Sequence, residues 1–386
     1  SFKIIENYYI IYRTRREDNT TMERFSVHGA PSEYILDRGV FNQLESKLLE
    51  RDFHHVLFVH GNKSWKAAMP YIPSFTKVKV AEYTYGGENS IEEIENVSRY
   101  ILEGKFDAII GVGGGKVLDL VKAASNSTRI PYVLIPTLAS NCAPWTPIGV
   151  VYDHSGRHVD SPQYPENASL VLVEPEILIN APIEYFVAGI ADTLAKWYEA
   201  DVQMAGMENK PVALDISYYA ARKCKDNLLE YSEEAIEAVK KGEINDAFMK
   251  VVETIIMLAG MVGGFADHYG RTAAAHAIHN GLTVLPETHS VLHGDKVAYG
   301  ILIQLVLENK WEEIKHILPF YQKLKLPITI SDLGVKQVTD EEIMEVAEIS
   351  CLPQQTIHVL SGNITPEVVK EAIITWEERA KQYTQK

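Results

Sequence analysis

The sequence predicts an α/β domain over residues 1–180, followed by an all-α domain over residues 181–386. Three observations carry that prediction. Short apolar segments alternate with helix-like ones between residues 55 and 135, the pattern of a parallel sheet covered by helices on both faces. One of those segments runs straight into a cluster of glycines. From Pro182 onward the strand-like signal disappears and helical periodicity takes over. A chain of 386 residues is long enough for each unit to bury a core of its own.

The elements follow in order. Residues 1–50 give irregular strand signals and then a helix in FNQLESKLLERD. Residues 55–60, HVLFVH, read as a short buried strand that ends in Gly61-Asn62, with a helical stretch behind it. Residues 77–83 alternate like a second strand. Ser90 and Glu93 have capping-box spacing ahead of a helical stripe formed by Ile91, Ile94, Val97 and Ile101. Residues 106–112 give a third strand, residues 117–124 a helix and residues 131–135 a fourth strand. IGVVYDHSGRHVD reads as a hairpin turning at residues 153–156, and Leu170 to Val173 closes the first domain. Four later segments, among them NDAFMKVVETIIMLAGMVGGFA and DKVAYGILIQLVLENK, have helical periodicity.

Composition excludes several functions. The net charge of −15, from 37 basic and 52 acidic residues, argues against nucleic acid or an anionic membrane as the main partner. Cys142, Cys224 and Cys351 are widely spaced and form no CxxC pair, which fits a reducing cytosol and a cytoplasmic protein. Glu6 and Asn7 interrupt the apolar run at the start of the sequence, so it does not read as a signal peptide. Residues 130–152 carry no charge, yet hold Pro131, Pro136, Pro144 and Pro147, which a simple membrane-spanning helix would not. The expectation is a soluble enzyme or binding protein.

Two stretches carry chemistry. Residues 275–300, AHAIHNGLTVLPETHSVLHGDKVAYG, hold four of the thirteen histidines: His276, His279, His289 and His293. Neutral imidazole is the commonest protein ligand for a transition metal, and His276 and His279 lie three apart on nearly one helical face. Upstream, Asp192 interrupts the apolar face of VAGIADTLAKWYEA and is the best candidate for a further ligand. The plain alternative is a set of hydrogen-bonded core histidines, because the spacing is not HExxH. The second stretch is Gly111-Val-Gly113-Gly114-Gly115-Lys116, placed between a strand and a helix. Glycines let backbone approach a ligand closely, and free amides at a helix start attract phosphate. Asp119, one turn later, suits either a ligand hydroxyl or a structural cap. The order is not GxGxxG, and Val117 stands where a Walker loop has Ser or Thr.

Together GVGGGKVLD (111–119), PTLAS (136–140), VAGIADTLAKWYEA (187–200), HAIHNGLT (276–283) and HGDKVAYG (293–300) resemble the iron-containing (group III) alcohol dehydrogenase superfamily, in particular its glycerol dehydrogenase-like branch. Their order and spacing extend through most of the chain. The resemblance implies a Rossmann-like N-terminal domain and a helical C-terminal one, the dehydroquinate synthase-like fold, with NAD(H) or NADP(H) and a divalent metal between them. It places Asp192, His276 and His293 on the metal-ligand positions, and Gly113, Gly114, Gly115, Lys116 and Asp119 on the pyrophosphate turn. Thr137, Ser140, Thr146, Ile148 and Tyr152 fall on positions lining the cofactor. The branch usually takes zinc, with iron or nickel as alternatives; relatives that use iron often add a histidine at the place of Lys196.

What the resemblance implies is metal-assisted hydride transfer between a nicotinamide and a small carbonyl or alcohol substrate, with a homo-oligomer allowed. His279 is expected to relay a proton or to hold a ligand by a hydrogen bond. Two positions depart from the branch. Cys142 stands where it has an aspartate beside the substrate, which points away from polyols and toward 2-oxo acids. Residues 60–64 hold no carboxylate where the branch has one for the NAD ribose, while Gly61 leaves room and Lys63 offers charge, which favours NADP(H). A glycerol (polyol) dehydrogenase is the first alternative, and a dehydroquinate synthase-like lyase and a metal-dependent hydrolase are the further competing readings.

Overall fold

Six strands lie parallel in one sheet in the computed structural model, which describes residues 24–153 and 158–384. They are β1 (Tyr34–Leu36), β2 (His55–His60), β3 (Lys79–Thr84), β4 (Ala108–Gly113), β5 (Tyr132–Pro136) and β8 (Leu170–Val173), ordered β1-β8-β5-β4-β2-β3 across the sheet. Two short strands, β6 (Val151–Tyr152) and β7 (His158–Asp160), pair antiparallel beside it. The turn expected between them and the apolar N-terminal run lie largely or wholly outside the described residues.

All six residues of β4 are buried, as a central parallel strand sealed on both faces requires. Edge strand β3 instead alternates between partly buried and exposed positions. The chain passes from β2 outward to β3 and then returns to the other side of β2 with β4. The strand order therefore reverses between β2 and β4, and the crevice beyond their carboxyl ends is where such sheets bind ligands. Both Gly61 and the glycine cluster sit at that end.

Helices cover both faces: α1 (Leu44–Leu49), α2 (Asn62–Ala68), α3 (Ile91–Gly104), α4 (Gly115–Thr128) and α5 (Pro175–Ile179). Ser90 caps α3 by accepting from the Glu93 amide at 3.2 Å. Glu93 does not complete the box; its carboxylate accepts from Gly86 at 2.8 Å and so ties the loop after β3 to the helix. Helix α4 starts two residues earlier and ends four later than the apolar stretch expected from sequence, because Gly114 and Arg129 supply its ends.

Among the described residues every regular element after Pro182 is helical: α6 (Ile183–Met204), α7 (Val212–Lys241), α8 (Asp246–Glu253), α9 (Ala259–Ala266), α10 (Ala274–Leu282), α11 (His293–Leu307), α12 (Trp311–Leu324), α13 (Asp340–Ser350) and α14 (Pro366–Thr384), with short single-turn helices between some of them. A π-helical turn at Thr254–Leu258 joins α8 to α9. The window 246–270 is long and apolar enough to cross a membrane, yet more than half of it is buried, with α8 and α9 both against α7. One apolar cluster runs from Leu57, Val59, Leu134 and Val171 on the sheet to Ile190, Leu194, Ile278 and Ile301 in the helices. A second, around Phe58, Ile110, Val133 and Leu172, fills the other face of the sheet. The two halves are welded by shared core.

Candidate active site

The glycine turn is built for closeness. Gly114 has φ −84°, so no left-handed conformation calls for glycine there. What matters is space: a Cβ on Gly113 would stand 2.8 Å from the Val117 side chain, and one on Gly114 2.9 Å from Leu138. The amides of Gly115 and Lys116 open α4 and have no carbonyl behind them in the helix. Thr137 donates its amide to Gly113 O at 3.0 Å, which lays the 137–146 loop along the turn.

Charged groups around the turn are already engaged. Lys116 Nζ lies 2.6 Å from Glu88 and 5.4 Å above the Tyr152 ring. Asp119 is buried and uses both oxygens within the protein, accepting from Lys122 Nζ at 2.9 Å and from the Val150 amide at 3.0 Å. Lys122 also donates to Ile148 O at 2.7 Å, so Asp119 and Lys122 fix the segment that carries Ile148 and Tyr152 against α4. Ser64 Oγ donates to Val112 O at 2.9 Å and accepts from the Gly61 amide at 3.1 Å, clamping the ends of β2 and β4 together. Lys63 is exposed on α2. The room expected over Gly61 is taken by Tyr85, whose ring would lie 2.9 Å from any Cβ placed there.

The second half of the site sits on the far wall of the crevice. Two glycines bring its helices together. A Cβ on Gly189 would fall 2.2 Å from Ala139 O, and one on Gly294 1.9 Å from Ala188 O. Helix α6 therefore packs its backbone on the 137–146 loop, and the first turn of α11 packs on α6. Asp192, one turn beyond Gly189, then meets His293 at the start of α11 and His276 on α10. His293 Nε2 is 3.2 Å and His276 Nε2 is 3.4 Å from the same oxygen, Asp192 Oδ1. One donor atom from each of the three lies within 4.8 Å of the others. Neither imidazole meets hydrogen-bond geometry, so Asp192 Oδ1 is a buried carboxylate oxygen with no hydrogen-bond partner. Such an orphan is costly in a protein interior, and a shared cation resolves it. The residues present fit a divalent metal.

The surroundings fix how the rings point. Glu199, two turns after Asp192 on α6 and 1% exposed, receives His276 Nδ1 at 2.7 Å. Its other oxygen accepts the amides of Ala273 and His276 at 2.7 and 3.0 Å. That bond leaves the Nε2 lone pair of His276 free for a cation, the usual role of a carboxylate behind a ligating histidine. Burial disfavours a charge on His276, but Glu199 and Asp192 outweigh it and push its pKa up to about 9. Burial raises the carboxyl of Asp192, and the Lys196 ammonium with the two imidazoles reverses this and holds it well below the usual range. The cluster attracts positive charge.

His279 does not face Asp192. Its Nε2 lies 3.0 Å from His293 Nδ1, and its Nδ1 lies 3.0 Å from Asn280 Oδ1. Burial, then the neighbouring His293, Lys296 and His276, keep it neutral. With Nδ1–H donating to Asn280, its Nε2 accepts from His293 and fixes that ligand's tautomer. His289 lies apart, bonded to Thr283 O at 2.9 Å. Cys142 is partly buried, and burial pushes its thiol up, so it is uncharged at neutral pH. Its carbonyl accepts the Thr146 amide at 3.3 Å, and Ser140 is partly buried in the same loop. Trp145 is an anchor: its indole donates to Gly29 O at 2.9 Å and packs against Tyr34 and Gly260.

Sequence reasoning assigned nothing to Glu199 or Glu88. Glu199 had a legible signal, because a second carboxylate seven residues after Asp192 shares its helical face. Glu88 had none, since its link to Lys116 depends on how the loop after β3 folds.

Comparison with known proteins identifies the family and the fold. Residues 31–175 match the model of the family described as iron-containing alcohol dehydrogenase. The chain is 36% identical over 343 residues to hydroxycarboxylate dehydrogenase A of Escherichia coli (strain K12), covering 89% of this chain and 94% of the relative. It is 39% identical over 340 residues to glycerol dehydrogenase of Thermotoga maritima, covering 85% of this chain and 90% of that one. The crystal structure of glycerol dehydrogenase from Schizosaccharomyces pombe superposes with a TM-score of 0.85 at 29% identity, over 94% of this chain and 93% of the other.

Proposed function

Because this chain belongs to the iron-containing alcohol dehydrogenase family and is an oxidoreductase of alcohols or hydroxy acids, we propose that it interconverts a small 2-hydroxy acid and its 2-oxo acid. The cofactor is NADP(H) or NAD(H), with one divalent cation, zinc, held by Asp192, His276 and His293. When bound, the cation supplies Lewis-acid polarisation of the substrate oxygen, and the nicotinamide supplies or accepts the hydride.

The chain's own residues do the rest. The amides of Gly115 and Lys116 and the start of α4 receive the pyrophosphate. Thr137, Ser140, Thr146, Ile148 and Tyr152 line the dinucleotide, while Asp119 holds that wall in place. Glu199 and His279 orient the two ligating histidines, and we assign His279 this positioning role in place of a proton relay.

Cys142 carries the substrate reading. An aspartate at this place would accept from a polyol and repel an anion in a cleft; an uncharged thiol does neither. The test compares kcat/KM for glycerol oxidation and 2-oxo acid reduction on wild type and Cys142→Asp. Wild type is expected to favour the 2-oxo acid and the variant to move toward glycerol. A wild type that favours glycerol, with nothing gained by the variant, makes the enzyme a glycerol dehydrogenase.

For the cofactor, no acidic residue in 60–64 repels a 2′-phosphate, and NADP(H) is accepted at least as well as NAD(H). Gly61→Asp should turn the kcat/KM ratio toward NADH, with Gly61→Ala as the control for displacing Tyr85. An unchanged ratio places the selectivity elsewhere.

A further inference from the structure

Most lysines drawn into the interior of this protein have partners. Lys122 is bonded to Asp119 and Ile148, Lys225 to Glu313, Lys310 to Asp201 and Glu308, and Lys296 reaches Thr288 O at 3.4 Å. Lys196 is different. It is partly buried on α6, yet among the described residues it makes no hydrogen bond and no ion pair within 4 Å. A partly buried ammonium without a partner gives up some of its hydration for nothing in return, and a bound anion would restore it.

Its position says what would pair with it. Lys196 lies four residues after Asp192 and three before Glu199, on the face of α6 turned to the metal cluster. Burial works against its charge, but the carboxylate of Asp192, with that of Glu199 behind it, keeps it protonated, so it cannot act as a neutral amine ligand. Gly189, seven residues earlier on the same face of α6, packs on Ala139 O of the loop that carries Cys142, so this face lies between the cluster and that loop. There the carboxylates of Asp192 and Glu199 balance a bound dication, and the Lys196 ammonium is left as the uncompensated charge. A site with surplus positive charge and an uncharged thiol at Cys142 prefers an anion.

We propose that Lys196 is the specificity-determining cation of the site, receiving the carboxylate of a substrate whose reacting oxygen lies at Asp192, His276 and His293. This rests on the 2-oxo acid reading above and names the residue that enforces it. A structural role, in which Lys196 only offsets the charge of Asp192 and Glu199, would affect every substrate alike.

The experiment uses the zinc-loaded enzyme and two substrates that differ only in charge, 2-oxobutanoate and 2-oxobutanamide, on wild type, K196M, K196Q and K196R. Loss of one charge-assisted hydrogen bond should lower kcat/KM for the acid by about 10- to 100-fold in K196M and K196Q, mostly through KM. The amide should change by less than about threefold, and K196R should recover much of the loss by restoring charge. Zinc content should stay at the wild-type level. By calorimetry with NADH present, the affinity for oxamate, an unreactive anionic analogue, should fall by the same factor as kcat/KM. Equal losses for acid and amide, or loss of zinc in both neutral variants, overturn the assignment of Lys196 and leave the substrate reading standing. A wild type that reduces no 2-oxo acid overturns both.

Discussion

The two halves of the site are made of different material. The glycine turn is backbone, one contiguous stretch from β4 into α4, and its affinity is spread over several amides and a helix end. The Asp192–His276–His293 pocket is side chain, drawn from α6, α10 and α11, and the metal affinity proposed for it rests on three groups and the two that orient them. Each amide or helix-end contribution is of the order of 0.3–1 kcal/mol, so the turn degrades by degrees when one is lost. A metal ligand has no substitute. The pocket is brittle where the turn is tolerant.

The largest effect should come from breaking the pocket. His293→Ala is expected to lose divalent-metal binding, and activity down to background, while keeping its circular dichroism spectrum and its affinity for NADH, since the His293 side chain is half exposed. Full activity in a metal-free preparation would sink the pocket's role altogether. Glu199→Ala removes an orienting group and should weaken zinc binding by about 10- to 100-fold. Titration of the metal-free protein with zinc measures it. An unchanged affinity would reduce Glu199 to a support for the start of α10, whose amides it also receives.

Breaking the turn should cost less and leave metal alone. A Cβ on Gly114 meets the far end of the Leu138 side chain, which can move, so Gly114→Ala should fold. Its KM for the dinucleotide should rise about tenfold, the equivalent of 1.4 kcal/mol, with zinc content unchanged. Gly113→Ala is the harsher variant, because the Cβ of branched Val117 stands 2.8 Å away and is fixed by the helix. If Gly114→Ala loses zinc as well, the two halves are coupled through the 137–146 loop and the contrast between them fails.

That contrast also explains what was legible beforehand. A backbone site announces itself in consecutive letters, and the glycines of 111–115 with a strand before and a helix after mark the turn. Buried strands were equally plain, with ends displaced by one or two residues: β3 begins at Lys79, where pairing with His55 starts, and β4 at Ala108. The side-chain pocket was legible only as candidates. Spacing put His276 and His279 on one face, but only the packing of α11 on α6 decides that His293 meets Asp192 and that His279 stands behind His293. The room expected over Gly61 failed for the same reason, because it depends on Tyr85, a residue distant in sequence.

The smallest effect concerns Lys116, the charged side chain beside the proposed phosphate site. It is held at 2.6 Å by Glu88, with half of the lysine side chain still exposed. An exposed pair of this kind is worth about 0–1 kcal/mol, so the ammonium can leave Glu88 for a pyrophosphate at little cost. Glu88 nevertheless competes with the ligand for the lysine and adds a negative charge near it. Glu88→Gln removes that competition and should lower the KM for NADH or NADPH by up to about fivefold at low salt, following the same 0–1 kcal/mol. The gain should shrink as ionic strength rises and the field of Glu88 is screened. Lys116→Met should move KM in the opposite direction, and the double variant should resemble Lys116→Met alone, because without the ammonium Glu88 has nothing to hold. If Glu88→Gln instead raises KM, the pair orders Lys116 for the phosphate, and the turn is as dependent on one side-chain contact as the pocket is.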